Sequence, residues 1–226
     1  MIAILQARLG STRLPGKVLF TFFGQTIVQR VCAIAHSVAP VERVIVATGR
    51  RAENRILKGL VEAAGAEYFE GGEDDVLQRY IDCAQGYVGE YILRLTCDNY
   101  LAQPALIEGL YDAVAGNNAD YGFVVPLSHF AGEVIRAEVL RAYAGSPTSS
   151  EAKEHVTWDI RNDPQLKKVE LDSDFMQVDH TDRITLDTLD DLILMKELEV
   201  ENIELKPVRC LSTLIELQSE RHRVAK

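Results

Sequence analysis

Short apolar runs rich in β-branched residues alternate, over the first 125 positions, with longer stretches in which apolar side chains recur every three to four residues. That alternation is the pattern of repeated strand–helix units. It predicts strands at Ile2–Ala7, Arg43–Thr48, Glu67–Glu70, Tyr91–Thr96 and Tyr121–Val125. Helices are expected between them, over Thr26–Ser37, Ala52–Ala64, Asp75–Gly86 and Pro104–Ala115. In the third of these Leu77, Tyr80, Ile81 and Ala84 share one face, with Asp74 placed as N-cap and Asp75 in the first turn. This half therefore reads as a wound parallel sheet. After residue 126 the rhythm loosens. Gly132–Leu140 suits strand or helix, 144–150 reads as a loop, and a helix or irregular segment over Glu151–Asp163 stops at Pro164. A strand is expected at Lys167–Leu171, a strand-to-helix junction at Ile184–Asp187 leading into Leu189–Glu199, and a final helix at Leu211–Arg221. With no repeat or linker in between, a single domain over 1–226 is the simplest organisation.

Composition narrows the class. With 226 residues, 47% hydrophobic and 26% charged, the chain has the profile of a folded globule with one sizeable core. Cys32, Cys83, Cys97 and Cys210 stand far apart with no Cys-x-x-Cys pair, so no zinc knuckle or thioredoxin-like site is written here and reduced, cytoplasmic thiols are expected. The N-terminus lacks the pattern of a signal peptide, and no stretch approaches the roughly 20 apolar residues that span a bilayer. A formal net charge of −10 opposes general nucleic-acid binding.

The charge is unevenly placed. Residues 1 to 41 hold no Asp or Glu but carry Arg8, Arg13, Lys17 and Arg30, so this segment is +4 and the remainder −14. A short cationic segment in an acidic protein suits a small anion. The first strand runs into Gln6-Ala7-Arg8-Leu9-Gly10-Ser11-Thr12-Arg13-Leu14-Pro15-Gly16-Lys17, a Gly-containing loop whose amides and cations together suit a polyphosphate. It is not a P-loop, because five residues rather than four separate Gly10 from Gly16 and Val18 stands where Ser or Thr would hold Mg²⁺. A solvated basic loop is the bland alternative. Asp98, at the end of an apolar strand, is well placed to ligate a cation, with an ordinary strand-end turn as the alternative, and Asp187 also follows a short apolar alternation. Asp187 with Asp190 could instead cap the helix that follows, and Asp75 with Arg79 could form a surface helix pair. Asp172-Ser173-Asp174 imitates an Asp-x-Asp metal motif and reads as coincidence in an acidic chain.

The string Gln6 to Leu19 resembles the opening of the cytidylyltransferase family related to spore-coat polysaccharide biosynthesis proteins and, more distantly, of the synthetases that make CMP-activated sialic acid and CMP-Kdo. The likeness continues through Val46-Ala47-Thr48, Gly72–Tyr80, Leu93–Asp98, Glu154-His155-Val156-Thr157 and Arg183–Leu192. It implies an α/β nucleotide-diphospho-sugar transferase (GT-A-like) fold, a mixed, mainly parallel sheet flanked by helices. It also implies an Mg²⁺-dependent transfer of CMP from CTP to a small anionic or sugar-type acceptor. By resemblance Gln6, Ala7, Arg8, Gly10, Ser11, Thr12, Arg13 and Lys17 hold the nucleotide, with Thr48 and Arg79 beside it. Arg13, Lys17 and Asp98 are the catalytic candidates, Asp98 and Asp187 the metal ligands, and His155 faces the acceptor. Residues of about 126–180 are then the acceptor-binding and dimerisation region of a homodimer. The chain departs from the family at Cys97, where Gly is usual, at Tyr100, where Pro is usual, and at Gly49-Arg50-Arg51, which replaces a polar, acidic run. These changes are expected to reshape the acceptor pocket and base preference. A glycosyltransferase on the same fold and a catalytically weak nucleotide-binding subunit are the alternatives.

Overall fold

The computed structural model describes residues 1–125, 128–144, 151, 153, 155–172 and 185–200. The expected final helix at 211–221, Cys210, Glu154, Arg183, Ile184, Ser173, Asp174 and most of the loop at 144–150 lie outside them. The chain opens with β1 (Ile2–Gln6), a short hairpin of β2 (Thr21–Phe22) and β3 (Gln25–Thr26), α1 (Ile27–Ser37) and β4 (Arg43–Gly49). A 3₁₀ turn at Ala52–Arg55 leads into α2 (Ile56–Ala63), then β5 (Glu67–Gly71), α3 (Val76–Cys83), β6 (Tyr91–Thr96), α4 (Pro104–Gly116) and β7 (Tyr121–Val125). The second half adds β8 (Glu133–Arg136), α5 (Ala137–Ala142), α6 (Trp158–Asn162), β9 (Lys168–Asp172) and α7 (Leu189–Val200).

One seven-stranded sheet has the order β5-β4-β1-β6-β8-β7-β9. β5, β4, β1 and β6 are parallel, β8 runs antiparallel to both β6 and β7, and β9 is parallel to β7. The expected mixed, mainly parallel sheet is thus what the chain builds. β1 is flanked on both sides, so its alternation feeds two cores. Ala3 and Leu5 pack with Val28 and Val31 of α1, Leu57 of α2 and Ile107 and Leu110 of α4. Ile2 and Ile4 face the other way, onto Leu77, Tyr80 and Ile81 of α3 and Leu140 of α5. The Tyr80 hydroxyl reaches through this second core to the carbonyls of Ile4 at 3.2 Å and Leu95 at 3.3 Å, satisfying its buried oxygen at the seam between β1 and β6. Among the described residues no helix is long and apolar enough to cross a membrane.

Local chemistry sets the helix starts. Thr26 and Gln29 form a capping box at α1. At α3 the cap is Asp75, not Asp74, because the Asp75 carboxylate accepts from the Gln78 amide at 2.8 Å. Asp75→Ala is expected to destabilise the protein by about 1 kcal/mol, the usual value of such a cap, read as a shifted midpoint in urea unfolding. An unchanged midpoint would mean that water replaces the cap at no cost. The surface pair of Asp75 and Arg79 does not form: Arg79 is 1% exposed and donates from Nη1 to the Gly72 carbonyl at 2.8 Å. Gly132–Leu140, ambiguous by pattern, divides into β8 and α5. The junction before α7 is not a strand over its described part, 185–187, because these residues turn across the end of β6 instead of joining the sheet.

Candidate active site

β1 sits where the strand order reverses: its crossover leads to β4 on one side, and β6 joins later on the other. Such a reversal opens a crevice beyond the C-terminal strand ends, where open α/β sheets bind ligands. Gln6 pairs with Ala47 on one side and Thr96 on the other, so β1 and β6 end level and release their loops into the crevice, while β4 runs on to Gly49. The loop after β1 is tied down by its own backbone. The Leu9 carbonyl accepts from the amides of Ser11 and Gly16 at 2.9 Å, and the Leu9 amide donates to Asn54 Oδ1 at 2.9 Å. Gly16 holds φ of 68°, the left-handed conformation that glycine adopts freely, and starts the 3₁₀ turn Lys17–Leu19.

That turn aims Lys17 at two carboxylates. Its ammonium donates to Asp98 Oδ2 at 2.5 Å and to Asp187 Oδ1 at 2.8 Å. Arg13 reaches the other Asp187 oxygen, Oδ2, at 3.1 Å. Asp98 follows β6, while Asp187 is delivered by the Leu186 amide, which donates to the Asp98 carbonyl at 3.2 Å. The capping question at α7 is decided here. Asp191 accepts from the Thr188 amide at 2.7 Å and the Asp187 amide at 2.9 Å, so Asp191 and Thr188 cap the helix and the Asp187 carboxylate is left for the cations. Burial would raise the Asp187 pKa, but the hydrogen bond and charge of Lys17, then Arg13 and a hydrogen bond from Thr185, outweigh it and hold the carboxyl below the usual range.

Two cavities meet at this cluster. The smaller, about 400 Å³, is lined by Gln6, Ala7, Arg8, Ser11, Thr12 and Lys17. The larger, about 790 Å³, is lined by Asn99, His129, Glu133, Thr157, Arg161 and Thr185. Arg13, Arg94, Thr96, Asp98, His155 and Asp187 line both. Of the residues singled out from the sequence, Gln6, Ala7, Arg8, Ser11, Thr12, Arg13, Lys17, Asp98, His155 and Asp187 come together, whereas Gly10, Thr48 and Arg79 line neither cavity. Thr48 is fully buried at the end of β4. Arg30 also stands apart: it donates to the Tyr100 carbonyl at 2.7 Å and lies 4.9 Å from the Phe22 ring centre.

The departures resolve individually. Tyr100 does not reshape the larger cavity; it is buried edge-on to Phe22, with ring centres 5.1 Å apart. Cys97 lines the smaller cavity, and burial pushes its thiol well above the usual range, away from a thiolate. Gly49 lets Glu73 lie against the end of β4: a Cβ there would come within 1.7 Å of Glu73 Oε2. Arg51 then pairs with Glu73 at 3.2 Å.

The sequence reading missed the floor of the larger cavity. Arg94 and Glu133 stand directly opposite each other on β6 and β8 and pair at 2.5 Å. Tyr121 donates to Glu133 Oε1, and Thr157 donates to Oε1 at 2.9 Å. Burial would raise the Glu133 pKa, yet the charge of Arg94 and the hydrogen bonds of Tyr121, Arg94 and Thr157 win and hold it low. A charge in the middle of an apolar strand was the available signal, since an arginine there must have a partner. His155 and Thr157 both reach the cavity because Val156 between them holds φ of 24°, a costly conformation for a β-branched residue, with its own side chain buried.

Two carboxylates converging on one cation form a donor set that suits a hard divalent ion, and the lysine ammonium shows that a positive charge is accommodated there. Among the described residues no group of three or more His, Cys, Asp or Glu is gathered to hold an ion unaided. An ion at this point would need further oxygens, such as those of a phosphate chain.

A family model for cytidylyltransferases matches residues 2–206. The chain belongs to the cytidylyltransferase family. This membership makes it a nucleotidyltransferase. It is 32% identical over 208 residues to the spore coat polysaccharide biosynthesis protein SpsF of Bacillus subtilis (strain 168), covering 88% of this chain and 85% of that one. Its fold is similar to a cytidylyltransferase from Leptospira borgpetersenii, with a TM-score of 0.83 at 23% identity over 99% of this chain and 95% of the other. It is similar also to a CMP:2-keto-3-deoxy-manno-octonic acid synthetase solved with CTP, with a TM-score of 0.68 at 18% identity over 89% and 99% of the two chains.

Proposed function

We propose that this cytidylyltransferase transfers CMP from CTP to a small anionic or sugar-type acceptor in an Mg²⁺-dependent reaction that releases pyrophosphate. The observation that carries this reading is the meeting of two cavities on one cluster of Arg13, Lys17, Asp98 and Asp187. A two-substrate transfer needs two compartments with a shared wall of charge at the point of reaction. The smaller cavity, with Arg8, Arg13, Lys17 and the loop after β1, takes the triphosphate. The larger cavity, with His155 at the shared wall, takes the acceptor. An acceptor oxygen attacks the α-phosphorus, the bond to the bridging oxygen of the β-phosphate breaks, and the electron pair leaves on pyrophosphate. The acceptor, when it is a hydroxyl, yields its proton to solvent. Little covalent work falls to the protein, and Arg13 and Lys17 act by holding the phosphates in line and neutralising the charge that develops. Asp98 and Asp187 would hold Mg²⁺, which supplies Lewis-acid neutralisation of the phosphate oxygens when bound. Lys17 then turns from the carboxylates to the phosphates. A homodimer joined through the second half is part of the same proposal.

The test is pyrophosphate release from each of the four nucleoside triphosphates with Mg²⁺, against sugar acids, sugar phosphates, phosphorylated polyols and phosphonates. Release that requires both CTP and an acceptor is expected. Tight CTP binding without release against every acceptor would favour a nucleotide-binding subunit, and consumption of a nucleotide sugar without pyrophosphate would favour a glycosyltransferase.

A further inference from the structure

Arg94 is anchored at one end and unpaired at the other. It lies in β6 between the fully buried Leu93 and the buried Leu95, where a guanidinium has no place without a partner. Gly132 brings that partner in. With φ of 63°, and with a Cβ position that would lie 2.3 Å from the Arg94 carbonyl, it lets the chain close onto β6 and sets Glu133 opposite Arg94. Glu133 takes only Nη1, at 2.5 Å. Its own oxygens are shared among Arg94, Tyr121 and Thr157, so the carboxylate is a saturated anchor. The opposite edge of the guanidinium is unused. Nε is buried without an acceptor, and no hydrogen bond from Nη2 is found among the described residues. Nε–H and Nη2–H point in parallel, the fork that matches two oxygens of one phosphate or carboxylate.

The position of this unpaired fork is informative. Arg94 lines both cavities. The other arginine that does so, Arg13, is engaged by Asp187, and Lys17 is engaged by both carboxylates. Arg13 meets Asp187 through Nη2 alone, but its side chain is 54% exposed, so water serves its other donors; Arg94 is thus the arginine shared by both cavities whose unspent donor is buried. A purely structural ion pair would have no reason to strand a buried donor at the wall between two compartments.

We propose that Arg94 is a catalytic residue of the transfer, its Nε/Nη2 edge receiving oxygens of the phosphate under attack. This rests on the two-cavity reading above. As the acceptor oxygen adds to the α-phosphorus and pyrophosphate departs, charge on the non-bridging oxygens meets a donor pair already fixed in place by Glu133, so no reorganisation is needed at the moment of reaction. Glu133, Tyr121 and Thr157 are positioning residues that act through Arg94.

Removing Arg94 alone would leave Glu133 buried and unpaired, so the test uses the double variant R94M/E133Q, with R94K as companion because it keeps the charge opposite Glu133. Turnover is measured with CTP and the acceptor that the wild-type enzyme accepts, and CTP affinity is measured separately without acceptor. The double variant is expected to lose at least about 10²-fold in kcat while its Kd for CTP stays within about threefold of wild type. R94K is expected to lose at least about tenfold in kcat, because an ammonium cannot supply the fork. Wild-type kcat in either variant would overturn the proposal. So would a loss confined to CTP affinity, which would make Arg94 a ground-state contact only. A wild-type enzyme that turns over while the variants match it sinks this inference alone; a wild-type enzyme with no CTP turnover sinks the two-cavity reading and this inference with it.

Discussion

Asp98→Asn is expected to leave a folded protein whose CTP-dependent pyrophosphate release has fallen by at least about 10²-fold, the scale of losing one electrostatic contact in the transition state. The substitution preserves shape and removes one negative charge. The link that brings Asp187 to the site uses the Asp98 backbone carbonyl, bonded to the Leu186 amide at 3.2 Å, so the neighbouring segment keeps its anchor. What is lost is half of the carboxylate pair that now grips Lys17. If that pair holds Mg²⁺, the variant also needs more of it, so rate against Mg²⁺ concentration should shift to higher values, while near-ultraviolet circular dichroism stays that of wild type. A variant with wild-type rates would remove Asp98 from the site.

Lys17→Met should have two effects that separate under one measurement. Turnover is expected to fall by at least about 10²-fold, because a cation facing the leaving phosphates is gone. Stability without divalent ions is expected to fall as well. Lys17, Asp98 and Asp187 expose only 12%, 21% and 18% of their side chains, so removing the ammonium leaves two poorly solvated carboxylates facing each other. Loss of one partner of a fully buried pair costs about 3–5 kcal/mol, and partial exposure lowers this to about 1–3 kcal/mol. For a chain of this length that corresponds to a drop in Tm of roughly 2–12 °C. Added Mg²⁺ should restore more Tm to the variant than it adds to wild type, since the ion replaces the lost charge. Melting curves with and without Mg²⁺ test this. Equal responses would mean that the carboxylates do not form a cation site.

Much of this was legible in the chain because it is local. The β-branched apolar runs, set between stretches of period 3.6, give β1, β4, β5, β6 and β7 within a residue of where they stand, because burial on both faces of a parallel strand and on one face of a helix leaves a short-range imprint. The acid-free cationic opening is equally local, and its loop does line the smaller cavity. The second half was harder to read because β8 inserts antiparallel between β6 and β7, out of chain order, and no periodicity records that pairing.

The sequence by itself determined the parallel half, the cationic loop and the family resemblance that the matching family model bears out. Only the tertiary structure decided which charges meet. Lys17 and Asp187 are 170 positions apart and Arg94 and Glu133 are 39 apart. Whether Asp187 capped a helix or faced a cation turned on Thr188 and Asp191 taking the cap. Likewise, nothing near Arg94 in the chain says that its partner would come from β8 and leave one edge of the guanidinium unpaired. The physical reason is common to both. Helix and strand formation are short-range and written in spacing, whereas an ion pair depends on the sheet order that carries distant strands together, and on which competing hydrogen bond is satisfied first.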